Sequence, residues 1–416
     1  MATPIENWAR NLTYQAKNLV VPACLEELQE IVDRSEKVKA LGTKHSFSSI
    51  ADTTGTLVSL QNFTAIKEID VFGKRAVVEP GITYGKFSQE LHRYGLALHN
   101  LASLPHISVG GAVATATHGS GDANGNLATT VSELKIVLAN GEVMSLARND
   151  EYFNAAVVGL GALGIVVEMT LDLLPAFEMS QVVYENLPFQ QLEQNFDAIT
   201  SSAYSVSLFT DWKGPEINQV WLKGRVDSSA FPQSLFGTNA AKRQVHPVPG
   251  MPAEFCTGQL GVQCPSHEIL PHFKMAFTPS SGEELQTEYL VSRKDAVSCL
   301  QVLAPFAKEI ADLLQICEIR TMAADNLWLS PSYHRDSVGI HFTWKKHPEA
   351  VRYLLPKIEK ALAPFQPRPH WAKLFRISGI ELEQRYEKMD SFRHLATSLD
   401  PNFKFRNAFL EHAIFA

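Results

Sequence analysis

The chain has 416 residues, of which 45% are hydrophobic and 19% charged, with a formal charge of −7 at pH 7. That length predicts two or three domains with a full core, at ~100–200 residues per domain. No dense Lys/Arg stripe occurs, no apolar run approaches the ~18–20 residues of a spanning helix, and MATPIENWAR lacks the apolar centre of a secretory signal, which argues against nucleic-acid and membrane partners and for a cytoplasmic setting.

Leu25, Leu28 and Val32 recur at helical spacing after Pro22, so a helix is expected there. VKAL (38–41), TLVSL (56–60), AIKEIDV (65–71) and RAVVEP (75–80) read as short strands. Tyr84, Phe87 and Leu91 mark a helix that should end near Gly95, because glycine adopts the left-handed conformation of a helix C-terminus. Asn140-Gly141 between two apolar runs predicts a hairpin. GIVVEMTLDLL (164–174) reads as a strand that stops at Pro175. Beyond it come strand-like runs at 205–223, 285–292, 316–322 and 338–344, a Pro/Gly-rich loop at about 245–282, and a helical pattern, AVRYLLPKIEKAL, with Pro356 inside it. The expected fold is α+β. Residues 1–175 form one unit, completed by a tail from about 366 to 416, and residues 176–365 form a second unit on a large antiparallel sheet flanked by helices.

Several motifs mislead. Gly159-Leu-Gly-Ala-Leu-Gly164 has the spacing of a dinucleotide fingerprint, but that fingerprint needs a strand before it and a helix after it, and here the order is reversed. GITYGKF falls one residue short of a phosphate-binding loop, and Phe87 stands where Ser/Thr is needed. Cys24, Cys256, Cys264, Cys299 and Cys317 form no Cys-x-x-Cys pair, so neither a zinc site nor a disulfide frame is expected. The sequons at Asn11 and Asn62 carry little weight without a secretion signal.

Three constellations carry chemistry. LGTKHSFSSI (41–50) crowds a glycine, hydroxyls and His45 into the turn after a strand. SLPHISVGGAVATATHGSG (103–121) is rich in glycine and hydroxyls, a composition that lets backbone N–H groups approach a pyrophosphate and equally suits a solvated loop. In CEIRTM, alternation puts Glu318 and Arg320 on one face, and in IHFTW it puts His341 and Thr343 opposite Ile340, Phe342 and Trp344. Those polar faces suit either solvent or a polar pocket. RPHWAK adds His370 and Lys373.

From Asn7 to Phe409, through KHSFSSIA, HNLASLPHISVGGAVATATHGSG, SAYSVSLFTDW, HPVPGMP, CEIRT, HFTW and RPHWAK, the chain resembles the alditol (xylitol) oxidases, flavoproteins of the vanillyl-alcohol-oxidase (PCMH) type. The resemblance implies a two-part FAD-binding domain with a substrate domain. It implies FAD bonded through its 8α-methyl to His45. Gly42, Thr43, Lys44, Ser46 and Phe47 would hold the cofactor beside it. So would Ser103, Ser108 and Gly111, then Thr115, Ala116, Thr117 and His118, with Ile165 and His370 as further flavin contacts. Leu104 stands where some relatives carry a second attachment cysteine, so a single bond is expected. Two departures from the family pattern stand out: Lys44 replaces the glycine before the histidine, and Ala372 replaces the glycine of the WGK motif.

The implied reaction is oxidation of the terminal hydroxyl of a polyol by O2. His341 would be the base with Lys373 as its rival, and Arg320 and Lys373 would stabilise the alkoxide. Ser103, Glu318, Arg320, Thr343 and Lys373 would bind hydroxyls. No resident metal or obligatory protein partner is expected, and a monomer is. Two alternatives remain: a sugar-1,4-lactone oxidase or dehydrogenase on the same fold, and a flavin-free carbohydrate-binding protein.

Overall fold

The structure, a computed structural model, describes residues 4–228, 230–276 and 282–416. Val38–Leu41 and Asn18–Val20 flank Thr56–Ser59 in a parallel three-stranded sheet. The helix Leu25–Arg34 makes the crossover and buries Leu28 and Val32. Behind it lies an antiparallel sheet in the order Ile66–Asp70, Arg75–Val78, Ile165–Asp172, Val131–Val137, Val143–Ala147. Its last pair is the Asn140-Gly141 hairpin, with Gly141 at φ 79°. The short helix Phe153–Val157 precedes the 159–164 glycine run and the strand Ile165–Asp172 follows it. That is the reverse of the dinucleotide-binding order.

The second half is organised by an antiparallel sheet. Its strands run in the order Cys264–Pro265, Glu178–Pro188, Glu216–Arg225, Ser205–Thr210, Leu314–Met322, Ser337–Lys345, Glu284–Ser292, Arg368–Pro369. The apolar residues of its alternating strands, among them Ile319, Ile340, Phe342, Tyr289 and Val291, join Leu300, Leu303, Leu354 and Ile358 of the helices Ala296–Leu303 and Pro348–Leu362 in one core. The side chains that alternate with them face away from these helices. Pro356 sits inside the second helix, as its sequence indicates. The eleven-residue strand Glu178–Pro188 and the helix Phe189–Thr200 are elements that the local pattern did not single out. The predicted loop at 245–282 is largely irregular, with one short helix, Ser266–Ile269; its residues 277–281 lie outside the described residues.

The tail returns to the first unit. Ala372 carbonyl accepts from Phe47 N at 2.7 Å, and Lys404 carbonyl from Val38 N at 2.9 Å. The Asn407 amide donates to the carbonyls of Ser49, Ile50 and Asp52, and Phe405 packs with Leu28 and Val32. These bonds bring RPHWAK beside KHSFSS. Among the described residues, no helix is long and apolar enough to cross a membrane.

Candidate active site

A cavity of about 620 Å³ opens between the parallel sheet, the 103–118 stretch and the polar face of the large sheet. Its first wall begins where the strand Val38–Leu41 ends. A side chain at Gly42 would put a Cβ 2.5 Å from Ser108 Oγ, so with glycine these two segments close without turning that hydroxyl aside. Thr43 Oγ1 accepts from Ser108 N at 3.1 Å and fixes the contact. Lys44 follows at φ 63°. This left-handed turn aims His45 into the cavity, where its ring stacks on Trp8 at 5.3 Å. Both ring nitrogens of His45 are buried without a hydrogen-bond partner. Burial, then the neighbouring His106, pushes its pKa down to about 4, so the ring is a neutral nucleophile at pH 7. Buried polar atoms are nearly always satisfied. An unpartnered imidazole on the cavity wall fits a site that a bound group completes.

Ser103, Leu104, Ser108, Gly111, Thr115, Thr117 and His118 line the same space. Thr115 Oγ1 donates back to Gly111 carbonyl at 2.9 Å and lies 3.1 Å from Thr117 Oγ1. These residues fit a dinucleotide: a close-approach glycine and a row of hydroxyls, beside His118, whose Nδ1 lies 2.9 Å from the Gly119 carbonyl. The side chains of Ala116 and Ile165 are packed in the core, so at these two positions only the backbone can face the cavity. For Ile165 the reason is alternation. Its neighbours Gly164 and Val166 line the cavity, so its own side chain must point the other way.

The second wall is the polar face of the large sheet. Glu318 pairs with His341, and His341 with Glu288, across three adjacent strands. The open solvent face is therefore excluded: Glu318 is 5% exposed, Arg320 4% and His341 7%. Arg320 donates to Ser103 Oγ at 3.2 Å and to Glu288 Oε1 at 2.9 Å, while its Nε has no hydrogen-bond partner. His341 Nε2 lies 3.0 Å from Thr343 Oγ1. Its Nδ1 lies 3.3 Å from Glu288 Oε2 and beside Lys373 Nζ. Burial, then the charge of Lys373, pushes the His341 pKa down to about 4. Burial also lowers that of Lys373 against the pull of Glu288, and it holds His370 well below the usual imidazole range.

Glu288 was not among the residues expected at the site, yet it ties the wall together. It lies behind the lining and is wholly buried, and it pairs with Lys373, Arg320 and His341. His118 Nε2 is 3.2 Å from its Oε1 without hydrogen-bond alignment. Burial would raise its pKa, but Lys373, His118 and Arg320 outweigh that and hold it well below the carboxylate range. One atom each of His118, Glu288 and His370 lie close enough to ligate a cation. With Arg320 and Lys373 already on the carboxylate, a further cation would meet repulsion. His272 was likewise not anticipated. It lines the cavity from the 245–282 loop, with Nε2 2.7 Å from Glu318 Oε1. Burial would also raise the pKa of Glu318, but Arg320 and His272 pull it well below its ordinary value.

Comparisons with known proteins bear on the family and the fold. Residues 16–147 match a family described as "FAD binding domain" and residues 277–413 one described as "D-arabinono-1,4-lactone oxidase". The chain is 47% identical over 415 residues to an alditol oxidase of a Streptomyces strain, covering 99% of each chain. It is 25% identical to an L-gulono-1,4-lactone dehydrogenase of Mycobacterium tuberculosis, covering 98% of each. A cholesterol oxidase from B. sterolicum superposes with a TM-score of 0.78 at 14% identity, over 99% of this chain and 96% of that one, a likeness of fold alone.

Proposed function

This chain belongs to the alditol oxidase family, and on that premise we propose that it oxidises the C1 hydroxyl of a linear polyol, such as xylitol or sorbitol, to the aldose, with O2 as acceptor and H2O2 as second product. The observation that carries this reading is the convergence of Glu318, Arg320 and His341, buried on one sheet face, and of Lys373 from the turn after Arg368–Pro369, upon the cavity that also holds His45. When bound, FAD supplies the hydride acceptor and the path for two electrons to O2. Everything else falls to the chain. His45 would carry the flavin, and Leu104 on the cavity wall supports a single attachment, since none of the cavity-lining residues is a cysteine.

The polyol hydroxyls meet Ser103 Oγ, Arg320 Nε–H, which lies 3.6 Å from Glu318 Oε2, Glu318 itself and Thr343 Oγ1, a set of donors and acceptors suited to vicinal diols. The alcohol proton passes to His341 Nε2, which is neutral at working pH. For Nε2 to accept, the ring's own proton must sit on Nδ1, which faces Lys373 Nζ. Lys373 would therefore enter as the neutral amine, in the direction burial shifts it, take the Nδ1 proton as Nε2 takes that of the alcohol, and end as the ammonium paired with Glu288. Arg320 stabilises the developing alkoxide, and Glu288 keeps the surplus of cations neutralised.

Peroxide assays on alditols of four to six carbons beside sugar lactones test the substrate class, and exclusive turnover of lactones would reverse it. Peptide mapping tests the attachment, with a fluorescent flavin peptide containing His45 as the expected result. His341→Ala should lower kcat at least ~100-fold, and an unchanged rate removes it as base. Five unpaired cysteines support a reducing, cytoplasmic setting, and the reading needs no second protein.

A further inference from the structure

Lys223 lies on the strand Glu216–Arg225, wholly enclosed and outside the cavity lining. An ammonium has three N–H donors and no acceptor. Here each donor has one partner: Leu270 carbonyl at 2.6 Å, Pro271 carbonyl at 2.9 Å and His272 Nδ1 at 3.1 Å. That match makes Nδ1 the acceptor of the ring. The proton must then sit on Nε2, which donates to Glu318 Oε1 at 2.7 Å. Phe209 and Trp221 hold the ring edge-on at 5.4 and 5.3 Å. The same segment reaches Ser103, whose carbonyl accepts from His272 N at 3.1 Å.

The geometry points to Lys223 and His272 as positioning residues for the substrate: Lys223 sets the tautomer of His272, and His272 fixes Glu318 through Oε1, so that Oε2, 3.6 Å from Arg320 Nε, is offered with that guanidinium to the polyol as a fixed acceptor. This rests on the polyol reading above. The alternative tautomer shows why the lysine is needed. Without a donor on Nδ1, the ring can place its proton there. Nε2 then presents a lone pair to the carboxylate at 2.7 Å, and Glu318 turns away. Removing Lys223 should therefore weaken binding of hydroxyls more than it slows proton transfer at His341.

The groups facing Lys223 are His272, Glu318 and Arg320 from the adjoining segments and the Cys256 thiol. Burial depresses its pKa to about 7, with Glu318 and Cys256 opposing and Arg320 adding to the shift. Binding should accordingly weaken on the alkaline side, as the ammonium loses its proton.

The experiment measures KM and kcat for xylitol against pH in the flavin-loaded wild type, Lys223→Met, His272→Gln and His272→Leu, with near-ultraviolet dichroism confirming the fold. The wild-type KM should rise above neutral pH. Lys223→Met should show a KM about tenfold higher near neutrality, the loss of one charge-assisted hydrogen bond, with no alkaline rise and a smaller change in kcat. His272→Gln keeps an N–H donor for Glu318 without needing the lysine, so it should retain most of the affinity that His272→Leu loses. A Lys223→Met enzyme with wild-type KM and pH profile overturns the proposal, as does His272→Gln falling as far as His272→Leu. A wild type that oxidises no alditol would overturn the functional reading itself.

Discussion

Lys44 holds φ at 63°, a conformation that costs an L-residue roughly 1–2 kcal/mol. Its carbonyl accepts from Trp8 N at 2.8 Å, and Trp8 in turn stacks on His45. The turn is therefore required to present the imidazole, whichever residue occupies it. Lys44→Gly should relieve the strain, and part of that gain is offset by the freedom glycine adds to the unfolded chain. A net stabilisation of about 0.5–1 kcal/mol follows, visible in urea unfolding. A loss of stability instead would show that the Lys44 ammonium makes a contact worth more than the strain, which would point to the cofactor phosphates.

At the scale of elements, the site depends on register. Gly339, on Ser337–Lys345, stands across from Arg320, and a Cβ there would come 2.8 Å from Glu288 Oε1. Its absence leaves room for the Arg320–Glu288 pair. Gly339→Ala should displace the carboxylate and loosen Arg320, lowering kcat/KM about tenfold or more while leaving the flavin bound; an unchanged kcat/KM would show that the pair tolerates the shift. This dependence also explains what the sequence could reveal. Alternation exposed Glu318 with Arg320 and His341 with Thr343, because each pair lies within one strand. It did not show that the two strands are neighbours, nor that Glu288 from a third strand lies between Arg320, His341 and Lys373. Glu284, Gln286 and Glu288 alternate in the same way, yet a local pattern cannot distinguish a buried polar row from a solvated one. Lys223 sits on a hydrophobic strand and His272 in a Pro/Gly-rich loop, where no periodicity marks function. Ala116 and Ile165 were named by resemblance to a family position, which carries backbone placement better than side-chain direction.

At the scale of the whole molecule, an interior this rich in titratable groups ties stability to pH. His272 and His341 sit at about 4 in the fold, against 6.5 for a free imidazole. The folded chain therefore binds fewer protons than the unfolded chain between those values, and stability falls as pH drops through that window. Glu288 and Glu318, held below 4.5, act with the same sign further down, since their contribution is lost as pH falls below the unfolded value. Asp325, raised to about 6, and Glu359, raised by burial, oppose them, while His45 and His370 add to the majority. On the alkaline side, Lys39 and Lys223 sit at about 7 against 10.5. The unfolded chain binds more protons there, so stability climbs from pH 7 upward. Cys256, Cys299 and Cys317, raised to about 12 from 9, reverse the trend above pH 9, where the unfolded thiols ionise. The maximum should therefore lie on the alkaline side of neutrality. Thermal unfolding should show a Tm clearly lower at pH 5 than at pH 8, and Lys223→Met should flatten the rise between pH 7 and pH 9. A Tm that is level from pH 5 to pH 8 would mean that the buried histidines already carry protons in the fold, and the neutral base at His341 would fall with it.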